Sequence, residues 1–187
     1  GRERASAART AAKIHRSAAR VEDAFEPLGE ALRIFRELGD EVGAAVALAD
    51  LGSAHAALGR SEEARAELES AGAALRQLGE LRAAGLVEST MGDVYHHQGR
   101  FKESAVRIET ALGYFRQVGD RCAEGSSISA LGVALKEGGQ IDLAIEHYRS
   151  ALAVAREVGD RRLEATILGN LGNLYLDLSQ GEDARTH

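Results

Sequence analysis

Three short motifs return along this chain at a constant interval of 40 residues. The first, Leu-Gly-Asp or a close variant, occupies 38–40, 78–80, 118–120 and 158–160. The second, Leu-Gly or Met-Gly, occupies 51–52, 91–92, 131–132 and 171–172. The third, Gly-Arg or Gly-Gln, occupies 59–60, 99–100 and 139–140. Separate markers that share one period are the signature of a repeat protein, so the chain is predicted to be an array of similar units.

Each unit is predicted to be a hairpin of two α-helices. In residues 121–160 the apolar side chains recur three and four positions apart on either side of Gly139, which is the stripe expected of two amphipathic helices. No stretch sustains the two-residue alternation of a β-strand. The frame places helix A at 41–57, 81–97, 121–137 and 161–177, and helix B at 61–78, 101–118 and 141–158.

Glycine and aspartate mark the ends of the predicted helices. The glycine of each Gly-Asp or Gly-Glu pair suits the left-handed residue that ends helix B. An aspartate suited to the N-cap of the next helix A follows in three places: Asp40, Asp120 and Asp160. A second set of glycines is expected to make the turn from helix A to helix B: Gly59, Gly99 and Gly139.

Composition favours closely packed helices. Hydrophobic residues make up 44% of the chain but aromatic residues only 4%, so the core must be built mainly from Ala, Leu, Val and Ile. A single proline leaves the helices almost uninterrupted. A glycine recurs inside helix A, where it costs about 1 kcal/mol relative to alanine, and we expect it to permit the close approach of a neighbouring helix. These glycines are Gly52, Gly92, Gly132 and Gly172.

The pattern of small and large residues in each unit resembles the tetratricopeptide repeat. Helix A carries Leu-Gly-x-x-Tyr or a variant, as in Leu171, Gly172 and Tyr175. Helix B carries a small residue near its start and another seven positions later, as in Ala144 and Ala151. The length of the unit is similar to that in kinesin light chains, LGN-type adaptors and many large bacterial signalling proteins. Two features depart from the family pattern: the usual proline after helix B is missing, and the tryptophan-like position of helix A holds Leu48, Glu88, Ile128 and Leu168.

The resemblance implies an all-α fold, a right-handed α-solenoid of antiparallel helix hairpins. Residues 1–40 are interpreted as a degenerate first repeat, in which Pro27 is expected to kink or delay helix B. Residues 161–187 are interpreted as a partial repeat with a complete helix A and only the start of helix B. The chain is therefore expected to be a fragment of a longer protein. Three full repeats lie between these ends: 41–80, 81–120 and 121–160.

In tetratricopeptide arrays the A helices line a concave face, where partner peptides usually lie. Carrying the groove positions across by register gives four rows: Val46, Asp50, Ser53 and Ala57; Leu86, Thr90, Asp93 and His97; Ser126, Ala130, Val133 and Glu137; Thr166, Asn170, Asn173 and Asp177. Asparagine at such places commonly holds a peptide backbone in this family, because its amide both donates and accepts. The alternative for Asn170 and Asn173 is a solvated helix face. The rows contain acids and no Lys or Arg, so the partner protein or peptide is expected to be basic or neutral rather than acidic.

Four other features have simpler explanations than function. Asp93 and His97 lie one helical turn apart, but a metal site needs three or four ligands, so a surface pair is expected. Glu88 replaces a Leu or Ile, so it must either lie at an exposed rim or pair with an arginine. His55 takes the place of a packing tyrosine. Gly72 replaces a leucine and is expected to leave a thinner core and a weaker helix.

Charge and composition exclude several classes of function. Residues 1–20 hold six basic residues and one acidic residue, yet the chain carries a net charge of −6, and its acidic body argues against nucleic-acid binding. Alternative interpretations of the basic start are a transit peptide and a nonspecific nucleic-acid contact. No apolar run approaches the roughly 18 residues of a membrane span. The single cysteine excludes an internal disulfide and fits a reducing compartment, so a cytoplasmic location is expected.

The sequence shows no catalytic motif. It contains no phosphate-binding loop, no nucleophile elbow and no assembled Ser-His-Asp or Cys-His set, so neither an enzyme nor a cofactor is expected. Cys122 lies at a predicted helix start, but the frame places no histidine to activate it. The chain is therefore predicted to be a non-catalytic scaffold that binds a protein or peptide.

Two alternatives to the scaffold stay open. One is a regulatory or sensor module of a larger signalling enzyme or transcription regulator. The other is a homo-oligomerisation element, which is favoured if the concave face is buried by a second copy. Separately, stacked repeats expose apolar faces at an uncapped end, and a second copy is expected to cover that end as a homodimer. The residues at this end are Leu168, Leu171, Leu174 and Leu178.

Overall fold

The computed structural model describes the backbone of residues 1–17 and 20–186 and the side chains of residues 1–14 and 20–179. Throughout these residues every regular element is a helix, and consecutive helices pack against one another as antiparallel hairpins, which confirms the predicted all-α solenoid. A short 3-10 helix, Val21–Ala24, lies between the first two α-helices. The α-helices are α1 (Arg2–Ser17), α2 (Phe25–Glu37), α3 (Glu41–Ala57), α4 (Ser61–Gln77), α5 (Leu81–His97), α6 (Phe101–Val118), α7 (Arg121–Glu137), α8 (Ile141–Val158) and α9 (Arg161–Thr186).

Six of the helices have the predicted bounds. α3, α5 and α7 coincide with the predicted A helices, and α4, α6 and α8 coincide with the predicted B helices to within one residue. The connecting turns contain glycines with φ between 65° and 79°, a conformation that strains other residues. The predicted aspartate caps are confirmed, because Asp40, Asp120 and Asp160 accept from the backbone nitrogens of Gly43, Ala123 and Leu163 at 2.8, 3.1 and 2.9 Å.

Pro27 delays the second helix of the first hairpin. Val21–Ala24 forms only a 3-10 turn, and α2 begins at Phe25, so Pro27 lies in the first turn of α2. The backbone nitrogens of a first turn have no partner within the helix, which is why proline is tolerated there. The predicted late start is confirmed.

The last helix is longer than the repeat frame predicts. The frame ends helix A at residue 177 and begins a separate helix B after a turn, but α9 is continuous from Arg161 to Thr186. Ser179 stands where the earlier hairpins have a turn glycine. A left-handed residue other than glycine costs about 1–2 kcal/mol, so the chain continues as a helix. The predicted turn in this segment is therefore wrong.

Three of the four helix-A glycines lie against a large side chain of helix B. A Cβ at Gly52, Gly92 or Gly132 would lie 2.7 Å from Leu68, 2.7 Å from Ile108 or 2.8 Å from Tyr148, respectively. Carbon atoms do not approach this closely, so the predicted packing role is confirmed for these three. For Gly172 the prediction is wrong, because no atom lies within 4 Å of the equivalent point. Within the described residues α9 does not turn back, and no other described helix lies against this point.

Gly72 does not leave the thinner core that its missing side chain predicts. The point where its Cβ would stand lies 3.2 Å from Val87 Cγ1 and 3.4 Å from Arg76 Nη1. Leu75, on the same helix, is completely buried. The space of a leucine is therefore filled by a neighbouring valine and by the side chain of an arginine.

An ion pair links successive A helices at the edge of the array. Asp120 Oδ1 accepts from the N–H of Ala123, in the first turn of α7, while Asp120 Oδ2 lies 2.7 Å from Arg82 Nε of α5. Donation by Ala123 and, to a smaller extent, by Arg82 holds the pKa of Asp120 below its usual range, although burial opposes this. One carboxylate thus serves as a helix cap and as an ion-pair partner.

Candidate partner-binding face

The A helices form one layer of the array. α3 contacts α5 and α7 contacts α9 directly, in addition to the contacts that each helix makes with its neighbours in sequence. We refer to the surface that α3, α5, α7 and α9 present as the A-helix face.

Two depressions lie side by side on the A-helix face. The first has a volume of about 90 Å³ and lies between α3 and α5. Leu75 of α4 and Val87 of α5, both buried, form part of its wall. Five of the predicted groove residues line it: Val46, Asp50, Ser53, Leu86 and Thr90.

The second depression lies between α5 and α7 and has a volume of about 290 Å³. Ile108 and Phe115 of α6 close it from below, and both are buried. Leu86 borders both depressions and is 47% exposed, so the apolar surface is continuous between them. The predicted groove residues that line it are Leu86, Asp93, Ser126 and Ala130.

Asp50, at the first depression, is already paired with a cation. Arg9 Nε of α1 lies 2.8 Å from Asp50 Oδ2, and the two side chains are only 21% and 17% exposed. The predicted rows themselves contain no Lys or Arg, but this arginine reaches them from another helix. The basic character of α1 is visible in the sequence, whereas its position against α3 is not.

Asp93, at the second depression, has no such partner. Its side chain is exposed, and no Lys or Arg in the described part of the chain pairs with it. The surrounding groove restricts hydration of the carboxyl and raises the pKa of Asp93, which the nearby imidazoles of His97 and His96 offset only in part. His97 Nδ1 donates to the backbone carbonyl of Asp93 at 2.7 Å, so this nitrogen is occupied.

The hydroxyl groups of the predicted rows bond to their own helices. Each donates to the backbone carbonyl four residues earlier: Ser53 to Ala49 at 2.9 Å, Thr90 to Leu86 at 3.0 Å, Ser126 to Cys122 at 3.1 Å and Thr166 to Arg162 at 3.0 Å. Such a bond uses the only hydroxyl proton. These side chains can therefore accept a hydrogen bond from a partner without being free to donate one.

The C-terminal groove residues lie apart from the two depressions. Asn170 is half-buried and Asn173 is exposed, and neither amide forms a hydrogen bond with the rest of the described chain. Lys136 Nζ lies 3.7 Å from Glu137 and 3.8 Å from Asp177, so the acidic groups at this end share one cation. A partner contact at the two asparagines stays a prediction. Three other predicted groove residues also lie outside both depressions: Ala57, His97 and Val133.

Two residues that stand out in the sequence have structural partners. Glu88 is 4% exposed and accepts from Arg76 at 3.0 Å and from Arg107 at 3.1 Å, so of the two expected explanations the arginine pairing is correct and the exposed rim is wrong. His55 Nδ1 lies 2.8 Å from Glu67 Oε2, at the packing position of the tyrosine that it replaces.

Other classes of site find no support in the described residues. Within them, no group of three or more His, Cys, Asp or Glu side chains is arranged to hold a metal ion. Cys122 is exposed and forms no disulfide. None of the helices in the described ranges combines the length and apolar character needed to cross a bilayer.

The sequence matches one family model. The model described as tetratricopeptide repeat matches residues 81–157 and, in a second and overlapping match, residues 123–187. None of the curated proteins compared with the chain matches it in sequence.

Solved structures with the same fold cover nearly the whole chain. Aspartyl phosphate phosphatase F from Bacillus subtilis has a TM-score of 0.85 at 12% identity, over 99% of this chain and 51% of its own. A signal transduction ATPase with a tetratricopeptide repeat sensor from Pyrococcus horikoshii has a TM-score of 0.85 at 22% identity, over 96% of this chain and 28% of its own. A kinesin-light-chain-like protein with nearly identical repeats from Podosopora anserina has a TM-score of 0.77 at 16% identity, over 100% of this chain and 92% of its own. At identities this low, the structural similarity establishes a shared fold alone. The chain spans about half the length of the Bacillus protein.

Proposed function

The chain belongs to the tetratricopeptide repeat family, and on that premise we propose that its A-helix face binds a segment of a partner protein. Repeats of this family are generally non-enzymatic protein-binding units. The observation that carries the proposal is the pair of adjoining apolar depressions. Residues that were predicted from the repeat register line both of them. Concave surfaces that are mostly apolar and carry a few polar groups are where proteins bind ligands.

The proposed partner segment is basic or neutral rather than acidic. Asp93 borders the second depression, and Glu137 and Asp177 extend the acidic character toward α9. Like charges brought together at an interface oppose binding, so an acidic segment is disfavoured on this face. In this proposal the chain acts without a catalytic residue or cofactor. It works in the cytoplasm, where its exposed thiol stays reduced.

Selection from a random peptide library displayed on phage tests the proposal. Ser126 is exposed beside the second depression, so Ser126→Trp fills that depression with an indole ring. Ser150 is an exposed serine of α8, a B helix, and Ser150→Trp adds the same ring to the opposite layer as a matched control. By fluorescence polarisation, the affinity of selected peptides is expected to fall about tenfold or more with Ser126→Trp and to stay unchanged with Ser150→Trp. The reverse pattern, or equal binding to all three proteins, would overturn the proposal.

A second candidate is a sensor or regulatory module. It is favoured by the structural similarity to the Pyrococcus horikoshii protein, whose repeats are described as the sensor of a signal transduction ATPase. The match covers 28% of that protein. In this role, partner binding at the A-helix face would control an attached domain. Adding a selected peptide to the product of the complete gene decides between the roles. A change in the activity of an attached domain supports the sensor, and binding without any such change supports the scaffold.

A third candidate is self-association through α9. Leu168, Tyr175, Leu176 and Leu178 are each between 41% and 58% exposed, which gives this helix a wide apolar surface. A second copy placed against this surface would remove it from water. Light scattering over a wide concentration range is expected to show a dimer that dissociates on dilution. A monomer at every concentration would exclude this role.

A further inference from the structure

At its first depression, the A-helix face already holds a cation against a carboxylate. Arg9 of α1 pairs with Asp50 at the first depression, and neither side chain is more than 21% exposed. The chain itself thus shows which chemical group suits an acid on this face. The pairing also means that the first depression has no unsatisfied charge.

Asp93 is the acid of the second depression, and its charge is not satisfied. Asp40, Asp50 and Asp120 each pair with an arginine. Asp93 has no Lys or Arg partner within the described residues. It also lies one turn before the C-terminal end of α5, where the helix dipole does not favour negative charge. A cation supplied from outside the chain would therefore relieve an unfavourable arrangement.

The second depression supplies an apolar counterpart beside this acid. Its volume is about 290 Å³, against about 90 Å³ for the first. Leu86, Ile108, Phe115 and Ala130 contribute apolar surface, and three different helices hold these residues in place. An apolar side chain that enters this space leaves water without requiring the helices to move.

We infer that Asp93 and the second depression form one subsite, which takes an apolar side chain together with a neighbouring Arg or Lys of the partner segment. This inference rests on the proposed function and specifies its partner by chemistry. The first depression, where Arg9 satisfies Asp50, takes an apolar side chain alone. Because only one of the two depressions accepts a cation, the face also selects the direction in which the segment lies.

The inference is tested with three proteins in the same phage selection: wild type, Asp93→Asn and Glu63→Gln. Asparagine keeps the shape of aspartate and removes its charge. Glu63 is an exposed acid of α4 without an ion pair in the described structure, so Glu63→Gln is the matched loss of charge away from the A-helix face. Peptides enriched by wild type and by Glu63→Gln are expected to carry Arg or Lys beside an apolar residue. Asp93→Asn is expected to keep the apolar preference and to lose the basic one.

Synthetic peptides made from the enriched sequences provide the quantitative readout. Their Kd is expected to rise about tenfold on Asp93→Asn and less than about twofold on Glu63→Gln. In the charge swap, Asp93→Lys should bind a peptide whose basic residue is replaced by Glu better than it binds the original peptide. Circular dichroism shows whether each variant keeps its helices, and Asp93→Asn decides the result if the lysine variant does not fold.

The outcomes separate this inference from the proposed function. If Ser126→Trp blocks the peptides while Asp93→Asn binds them as wild type does, the assigned subsite is wrong and partner binding on this face stands. Enriched peptides without a basic residue would lead to the same conclusion. If neither variant weakens any selected peptide, or if no peptide is enriched, the proposed function is wrong and the subsite with it.

Discussion

The α7–α8 hairpin and α9 carry nearly the same motif in different surroundings. Ile128 of α7 is 3% exposed and Leu168 of α9 is 47% exposed, although both occupy the same position of the repeat. Gly132 lies against Tyr148, whereas nothing lies within 4 Å of a Cβ at Gly172. Burial in this fold is therefore a property of the interface between two helices and not of the motif itself.

The largest expected change in stability comes from truncating Ile128, which is the buried residue of the pair Ile128 and Leu168. Ile128→Ala removes a side chain that packs in the core with Tyr148 and Leu112, and it should lower the free energy of unfolding by about 2–5 kcal/mol. Leu168→Ala should lower it by less than about 0.5 kcal/mol, because the leucine is half exposed in the folded state. Urea denaturation followed by circular dichroism measures both. Equal losses would contradict the comparison and would mean that α9 is covered in solution.

Alanine substitution should lower the stability of the protein at Gly132 and raise it at Gly172. Gly132→Ala places a methyl group 2.8 Å from the Tyr148 ring, and we expect a loss of about 1–3 kcal/mol from overpacking. Gly172→Ala meets no neighbour and should gain up to about 1 kcal/mol from the better helix propensity of alanine. Thermal melting of the two variants, made in the same background, decides this. A loss of stability in Gly172→Ala would show that some helix packs there.

The first turn of α9 resembles that of α7, unlike the rest of the helix. Burial alone would raise the pKa of Glu124, but hydrogen bonds from Arg116 and Arg121 outweigh it, so the pKa is lowered. The pKa of Glu164 is lowered too, mainly by its hydrogen bond from Arg156. The ionised form of each carboxylate is thus favoured in the folded state.

The similarity between the two first turns is tested by replacing Glu124 or Glu164 with glutamine and measuring the free energy of unfolding as a function of pH. A folded-state pKa below the unfolded value stabilises the protein fully above about pH 4.3, and the contribution disappears as pH falls through the folded-state pKa. Glu124→Gln should therefore destabilise at pH 7, by about 1 kcal/mol, and by less as the pH falls below about 4.3. Glu164→Gln should show the same direction. Stability differences that do not shrink in acid would show that the arginines do not act through charge.

The smallest change in stability is expected at Asp93, whose pKa is raised, whereas the pKa values of Glu124 and Glu164 are lowered. Restricted hydration in the second depression raises the pKa of Asp93 in the folded state, so its ionised form opposes folding above that pKa and ceases to do so as the pH falls through it toward the unfolded value. Asp93→Asn should raise stability at pH 7 by a few tenths of a kcal/mol, with a smaller gain in acid. Melting temperatures measured at pH 7 and in acid check this. A loss of stability at pH 7 would indicate a cation partner within the chain.

Local signals predicted most of the fold. Turn glycines and aspartate caps gave the bounds of α3 to α8, because a helix end depends on a few adjacent residues. For Glu88 the sequence left two possibilities, an exposed rim or a pairing with arginine, since a buried carboxylate without a partner is too costly. Ser179 in place of a glycine also carried the information that α9 continues, although the repeat frame hid it.

The depressions and their charges depend on contacts that no local signal carries. The pairing of Arg9 with Asp50 joins two helices whose relative position follows from how the first hairpin packs on α3. The depth of each depression depends on which side chains of α4 and α6 close it from below. Repeat register placed Leu86 and Asp93 on the A-helix face. It did not distinguish an acid that has a cation from one that lacks it.

Asp120 has a consequence for how the array frays. Its carboxylate caps α7 through Ala123 and holds Arg82 at the start of α5, so opening one helix end loosens the other. The amide proton of Ala123 should therefore exchange with solvent faster when Arg82 is replaced, although the two residues lie on different helices. Because the Asp120 carboxylate bonds to the first turns of both α5 and α7, local unfolding at the start of one hairpin is coupled to local unfolding at the start of the next.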